Sequence, residues 1–241
     1  MALLEVRGLS KSFRGLRAVH DASFDVPQGT INALIGPNGA GKTTIFNVIA
    51  GVYPADAGAI HFEGKAIHGL RADQVCAAGI GRTFQIVKPF AGLSVLDNVV
   101  VGGLLRERSA AAARRISLDI LEKLHLGPKR DLPASSLTLP DRKRLEAARA
   151  LATRPKLLLL DEVMAGLRPT ECDQMIEVFR GLNRGEGLTI LLIEHVMRAV
   201  MALAQHIGVL HHGEVIARGT PEQIVRDPAV LECYLGEETE V

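Results

Sequence analysis

Gly36-Pro37-Asn38-Gly39-Ala40-Gly41-Lys42-Thr43-Thr44 carry the plainest chemistry in this chain of 241 residues. They match the spacing G-x-x-x-x-G-K-[ST], the P-loop. Glycine at 36, 39 and 41 lets the backbone turn tightly and aims successive N–H groups into one concavity. A triphosphate fits such a nest, against the positive end of a helix. Lys42 would reach the β- and γ-phosphates, and Thr43 would offer its hydroxyl to Mg²⁺. Gly36, Asn38, Gly39, Gly41, Lys42, Thr43 and Thr44 are therefore the expected binding set. A glycine-rich turn without a ligand is the competing reading. The flanks disfavour it, because residues 31–35 read as a short buried strand and 43–50 as a helix.

A second cluster lies at Leu157-Leu158-Leu159-Leu160-Asp161-Glu162, an apolar strand ending in two carboxylates. In P-loop proteins such a strand runs beside the P-loop, with its carboxyl end towards the phosphates. Asp161 would hold Mg²⁺, and Glu162, one residue further, would orient or deprotonate the attacking water. Acids at a helix N-terminus are the structural alternative. Ile193-Glu194-His195 repeats the geometry on the next strand, and a neutral His195 imidazole could hydrogen-bond the γ-phosphate. Residues 137–146 open a further helix, with Thr138 as N-cap and Asp141 three positions on, close to a capping box. Phe13 reads as a loop residue ahead of the P-loop, either packed in a hairpin or stacked on a purine base. His211 and His212, at an expected hairpin tip, read as solvated.

The elements that must position these groups alternate. Strands are expected at 3–9, 18–26, 31–35, 156–160 and 188–193, and hairpins at 59–67 and 207–218. Helices are expected at 43–50, 71–78, 109–125, 140–152, 170–183 and 196–204, and Ser94 reads as the N-cap of another. Residues 86–92 read as a loop. This pattern predicts an α/β fold with a mostly parallel core sheet. A composition shift around 102–140 predicts an inserted helical subdomain, taken as 102–153, within a single domain of 1–241.

The formal charge of +1 and pI of about 7.8 provide no basic field for nucleic acid. No stretch approaches the ~18 apolar residues of a membrane helix, although 47% of residues are hydrophobic and the mean hydropathy is +0.18. The opening residues lack the features of a signal peptide. Cys76, Cys172 and Cys233 lack metal-ligand spacing and read as reduced thiols.

In order along the chain, the P-loop at 36–44, Gln85, the helix from Leu137, Asp161-Glu162 and His195 resemble the ATPase subunit of an ABC transporter. Three stretches narrow the likeness to the ATPases of branched-chain amino-acid importers: Gly81-Arg82-Thr83-Phe84-Gln85, residues 161–167 and Gly219-Thr220-Pro221-Glu222. The resemblance implies the ABC-ATPase type of P-loop NTPase, with an N-terminal antiparallel β part. It implies ATP and Mg²⁺ as cofactors, and adenine stacking for Phe13. Gln85 would sense Mg²⁺ and the attacking water, and the loop 85–93, with Val87, Pro89 and Phe90, would dock on permease subunits. It further implies head-to-tail pairing with a second ATPase, each signature helix closing on the other's γ-phosphate. The subunit would be peripheral, at the cytoplasmic face of the inner membrane.

Three positions depart from that pattern. Where the family carries L-S-G-G-Q, or L-S-x-G-Q in this branch, the chain reads Leu137-Thr138-Leu139-Pro140-Asp141. Val163 stands where proline is usual, and Arg168 where the loop normally carries Asp or Asn. Because Pro140 deletes an N–H donor, a heteromeric pair of ATPases is expected. Two rival readings are a soluble ABC ATPase of cofactor assembly and a P-loop kinase acting on a small molecule. The helix at 137–149 argues against the kinase.

Overall fold

The computed structural model describes residues 1–235; residues 236–241 of the expected domain lie outside the described residues. Strands β1 (Ala2–Phe13) and β2 (Leu16–Pro27) form a long antiparallel hairpin. β4 (Ala57–Phe62) and the short β5 (Lys65–Ala66) extend it to a four-stranded sheet in the order β2-β1-β4-β5. The hairpin reaches further than its sequence suggests, because Arg14 and Gly15 both take positive φ, 45° and 92°. That two-residue turn matches the twist of paired strands. Phe13 is thus the last residue of a strand rather than a loop residue.

The second sheet has the order β10-β9-β3-β8-β7-β6. Its members are β3 (Ile31–Ile35), β6 (Ile80–Arg82), β7 (Leu157–Asp161), β8 (Thr189–Ile193), β9 (His206–His211) and β10 (Glu214–Gly219). All pairings are parallel except β9 with β10. β3, β7 and β8 are buried along their whole lengths. Strands covered on both faces read as continuous apolar runs, which made them legible. β6 is only 3 residues long, at the sheet edge, and carries no such run.

The helices are α1 (Lys42–Ile49), α2 (Ala72–Ala78), α3 (Val95–Gly103), α4 (Ala110–Lys123), α5 (Leu139–Ala152), α6 (Pro169–Glu186), α7 (Met197–Leu203), α8 (Pro221–Ile224) and α9 (Pro228–Leu235). One core lies between the two sheets and α1, built on Leu4, Val6, Phe46, Ile60 and Leu159. The other lies on the far side of the parallel sheet, where α5, α6 and α7 bury Leu145, Phe179 and Val200. α3, α4 and α5 pack on one another, with Val95, Val99, Leu121 and Leu145 fully buried among them. Ser94 caps α3 as its sequence predicts, its Oγ accepting from the Asp97 N–H at 3.0 Å.

Candidate nucleotide site

The P-loop leaves β3 at Gly36 and enters α1 at Lys42, and its path is set by what crowds it. Gly36 has φ 147°, and a Cβ there would lie 2.0 Å from the Leu210 carbonyl oxygen. Gly41 has φ 102°, and its Cβ would lie 2.3 Å from the Ala18 carbonyl oxygen. No L side chain fits either place, so β2 and β9 clamp the loop between them. The Gly213 N–H also donates to the Ala40 carbonyl at 3.0 Å. No side chain caps α1, so its first N–H groups remain available to an anion. The buried Lys42 ammonium donates to the carbonyls of Gly36 and Pro37 at 2.6 and 2.7 Å.

Above the loop opens a cavity of about 490 Å³. Phe13, Leu16, Arg17 and Ala18 wall one side, residues 38–44 form the floor, and Gln85, Glu162, His195 and His212 close the far side. Phe13 is 37% exposed. Its ring meets Tyr53 edge-on at 5.2 Å, with the Lys11 ammonium 5.4 Å from its centroid. The packing holds its plane while leaving a face open to a base. His212, expected to be solvated, is exposed but lines this cavity.

At the end of β7, Glu162 takes φ 50°, a left-handed conformation rare for a side-chain-bearing residue. Its carboxylate accepts from Gln85 Nε2 at 2.6 Å and meets His195 Nε2 at 3.0 Å. Three residues that follow the separate strands β6, β7 and β8 thus converge beside the P-loop. Asp161 is 1% exposed, and its Oδ2 accepts from Arg82 at 3.0 Å. Burial pushes the Asp161 carboxyl above its ordinary range, with Arg82 opposing. Its Oδ1 is buried without a hydrogen-bond partner. An orphaned carboxylate oxygen, with Thr43 and Gln85 lining the adjoining groove, makes a set of hard oxygen donors that suits Mg²⁺.

A sequence profile of the ABC transporter family matches residues 19–165. The chain belongs to the ABC transporter family. A second profile, described as branched-chain amino acid ATP-binding cassette transporter, matches residues 214–240. The chain is 40% identical over 250 residues to the high-affinity branched-chain amino acid transport ATP-binding protein LivG of Escherichia coli, covering 98% of each. BraF of Pseudomonas aeruginosa, of the same description, is 38% identical with the same coverage. The lipopolysaccharide export system ATP-binding protein LptB of Escherichia coli is 37% identical over 99% of both chains. A nucleotide-free ATP-binding cassette from an ABC transporter superposes with TM-score 0.88 at 32% identity, covering 97% of this chain and 99% of that one. These relatives make the chain an ATP-binding ABC ATPase.

In this ABC ATPase the start of α5 departs from its expected cap. The Thr138 hydroxyl donates to the Asp141 carboxylate at 2.7 Å instead of accepting from a helix N–H. Asp141 is 4% exposed, and Lys129 bonds the same oxygen. Burial would raise the Asp141 carboxyl, but the hydrogen bonds of Lys129 and Thr138 outweigh it and hold the group below its usual range. The Asp141 carboxylate is a charge-assisted acceptor for the Thr138 O–H. Lys129 comes from a short turn, Gly127–Lys129, between α4 and α5.

Sequence reasoning passed over Arg82, Tyr53, Lys143 and Glu194. Arg82 bridges Asn47 of α1, at 2.7 Å, and Asp161 of β7. Its signal was present, a cation in a stretch singled out only by likeness, but its partners lie 35 and 79 residues away.

Proposed function

We propose that this ABC ATPase powers an importer of branched-chain amino acids or related small amides and short organic acids. The observation that carries ATP hydrolysis is the convergence of Gln85, Glu162 and His195 beside an uncapped P-loop helix. Glu162 is the base that polarises the attacking water. Gln85 and His195 hold its carboxylate in place, and His195 is placed to meet the γ-phosphate. Lys42, with the N–H groups of residues 38–44, neutralises the triphosphate, while Asn38, Thr44 and Phe13 complete the nucleotide cradle. Thr43, Asp161 and Gln85 would hold Mg²⁺. The cation would draw charge from the bridging phosphate oxygens.

The import reading rests on the names of LivG and BraF and on the match over 214–240. The export relative LptB makes direction a matter for experiment. The permease surface is the loop around Gln85 to Leu93. Ile86 is 70% exposed and Phe90 46%, while Val87 and Pro89 are half-buried. Asn98 pins the loop, accepting from the Phe90 N–H at 2.9 Å and donating to its carbonyl at 3.1 Å. The Arg149 guanidinium lies 4.8 Å from the Phe90 centroid. The loop thus touches the Glu162 carboxylate at one end and α3 and α5 at the other. A permease pressing on it would reach both.

No helix among the described residues is long and apolar enough to cross a membrane, which suits a peripheral subunit at the cytoplasmic face. A second ATPase completes the unit, and a sister chain of standard signature is favoured over a second copy. Pro140 lacks an N–H, and the Thr138 hydroxyl is engaged by Asp141. In this reading residues 1–241 are one ABC ATPase domain, and 102–153 its helical subdomain.

Tagging this chain, isolating it from membranes and identifying its companions tests the proposal. A hydrophobic permease, a second ATPase and ATP-driven uptake of leucine or a related solute in vesicles are expected. Phe90→Asp should abolish the association while nucleotide binding persists. Unchanged association would place Phe90 outside the docking surface, and ATP-driven efflux would overturn import.

A further inference from the structure

Behind Glu162, on the side away from the nucleotide cavity, lies a buried charged group that the ATP site as described does not use. Lys143, on the second turn of α5, is 5% exposed, and its ammonium donates to the Glu162 carbonyl at 2.7 Å. Glu194, at the end of β8 and next to His195, is 2% exposed. Its Oε1 accepts from the Met164 N–H at 2.8 Å, and its Oε2 is buried with no hydrogen-bond partner. Burial pushes the Lys143 ammonium below its ordinary range, and the carboxyl groups of Glu194, Glu162 and Asp161 oppose it. A buried ammonium is costly unless opposite charge and acceptors surround it. Here they come from the chain segments that carry the proposed base and the histidine beside it.

The position of these contacts matters because Glu162 is strained. Its φ of 50° persists in a residue with a side chain only where surrounding groups over-determine it. Its N–H is held by the Ile193 carbonyl at 2.9 Å. Its carbonyl is held by Lys143, and the chain after it is held by Glu194 at Met164. Glu194 also joins these tethers to His195, one residue on. Lys143 belongs to the helix whose N-terminus carries Thr138 and Pro140.

We propose that Lys143 and Glu194 are a positioning pair that fixes the backbone of Glu162 and links the placement of helix α5 to this chain's own hydrolytic centre. Neither touches nucleotide; both act through Glu162 and His195. A shift of α5 draws Lys143 off the Glu162 carbonyl and lets the left-handed residue relax. The carboxylate then leaves its place between Gln85 and His195.

The inference rests on Glu162 being the base, and the test separates the two. ATP turnover and MgATP affinity are measured on the full chain as isolated from membranes, with the subunits that accompany it. Lys143→Met keeps the length of the side chain and removes the donor. It should lower kcat by about ten- to a hundredfold, as misplacement of a reacting group does, with nucleotide affinity within about twofold of wild type. Lys143→Arg should recover most of the loss. In a Glu162→Gln background, Lys143→Met should cost nothing further, because the group it positions is gone. Glu194→Gln keeps the acceptor for Met164 and should cost less than Lys143→Met. An equal loss from Lys143→Met in both backgrounds, or a fall in affinity parallel to kcat, would overturn the proposal. So would full turnover in Lys143→Met. Wild-type turnover in Glu162→Gln alone would instead remove Glu162 as the base.

Discussion

At the P-loop, every group that a triphosphate needs is held by backbone it cannot escape. Gly36 and Gly41 are wedged against Leu210 and Ala18, and Gln85 and His195 converge on Glu162. At the N-terminus of α5, 14 residues long, the corresponding groups are turned inward. Thr138 and Lys129 both serve Asp141, and Pro140 has no N–H to give. The two regions differ in what they spend their donors on. At the P-loop no side chain caps α1, and the Lys42 ammonium rests on the loop's own carbonyls of Gly36 and Pro37, whereas at α5 the Thr138 hydroxyl is given to a carboxylate that the same helix supplies. A helix N-terminus is an anion site only while its donors and dipole are uncommitted. In the proposed reading the chain would bring a full hydrolytic half and a weakened signature half.

The strongest way to break this comparison is to remove the P-loop cation. Lys42→Ala should weaken ATP binding by about a hundredfold, given ~1.5–3 kcal/mol per charge-assisted hydrogen bond. Equilibrium binding of MgATP checks it, and near-normal affinity would show that the cradle does not depend on Lys42. At the other region, Pro140→Gly combined with Asp141→Gln restores one N–H and releases Thr138. Turnover in the assembled complex should rise by about tenfold, the value of one hydrogen bond to a charged group. No gain would mean that the α5 terminus already suffices.

Much of that contrast was legible beforehand. The P-loop, β7 and β8 are signalled by fixed spacing and by unbroken apolar runs, since a parallel sheet buried on both faces leaves no alternation to confuse. Pro140 was read as a missing donor by setting it against the glycine of the signature that the chain resembles. What stayed hidden depends on distant partners. The Asp141 carboxylate that takes the Thr138 hydroxyl is shared with Lys129, 12 residues away. The strand Ile80–Arg82 is too short to carry a pattern and exists because β7 offers it a free edge. Phe13 shifted from loop to strand because positive φ at Arg14 and Gly15 tightened the turn.

A smaller effect sharpens the nucleotide half. Phe13→Ala should weaken ATP binding several-fold, in line with ~1–3 kcal/mol for a stacked base, and affect GTP similarly. Unchanged affinity for both would return Phe13 to a packing role against Tyr53. The smallest effect concerns Glu194, whose carboxyl is pushed up to about 7 by burial, with the Met164 N–H and the Lys143 charge opposing. The native state then holds a proton that the unfolded chain has lost between its ordinary value of 4.5 and about 7. Stability falls as pH rises through that window. Glu194→Gln removes this slope, so its unfolding free energy should gain on wild type between pH 5 and pH 8 by on the order of 2 kcal/mol, read as a rise of its thermal midpoint relative to wild type. Parallel midpoints at both pH values would mean that Glu194 is ionised at little cost.

The asymmetry itself is tested by one paired measurement. In the isolated complex, Glu162→Gln in this chain is compared with the same change at the catalytic glutamate of the companion ATPase. A positioned base contributes ~10²–10⁴-fold, and in the proposed heteromeric pair the site using this chain's P-loop would be closed by the companion's standard signature. Glu162→Gln should therefore remove nearly all turnover, and the companion's variant should leave most of it. Equal losses from the two variants, or a companion that proves to be a second copy of this chain, would contradict the account.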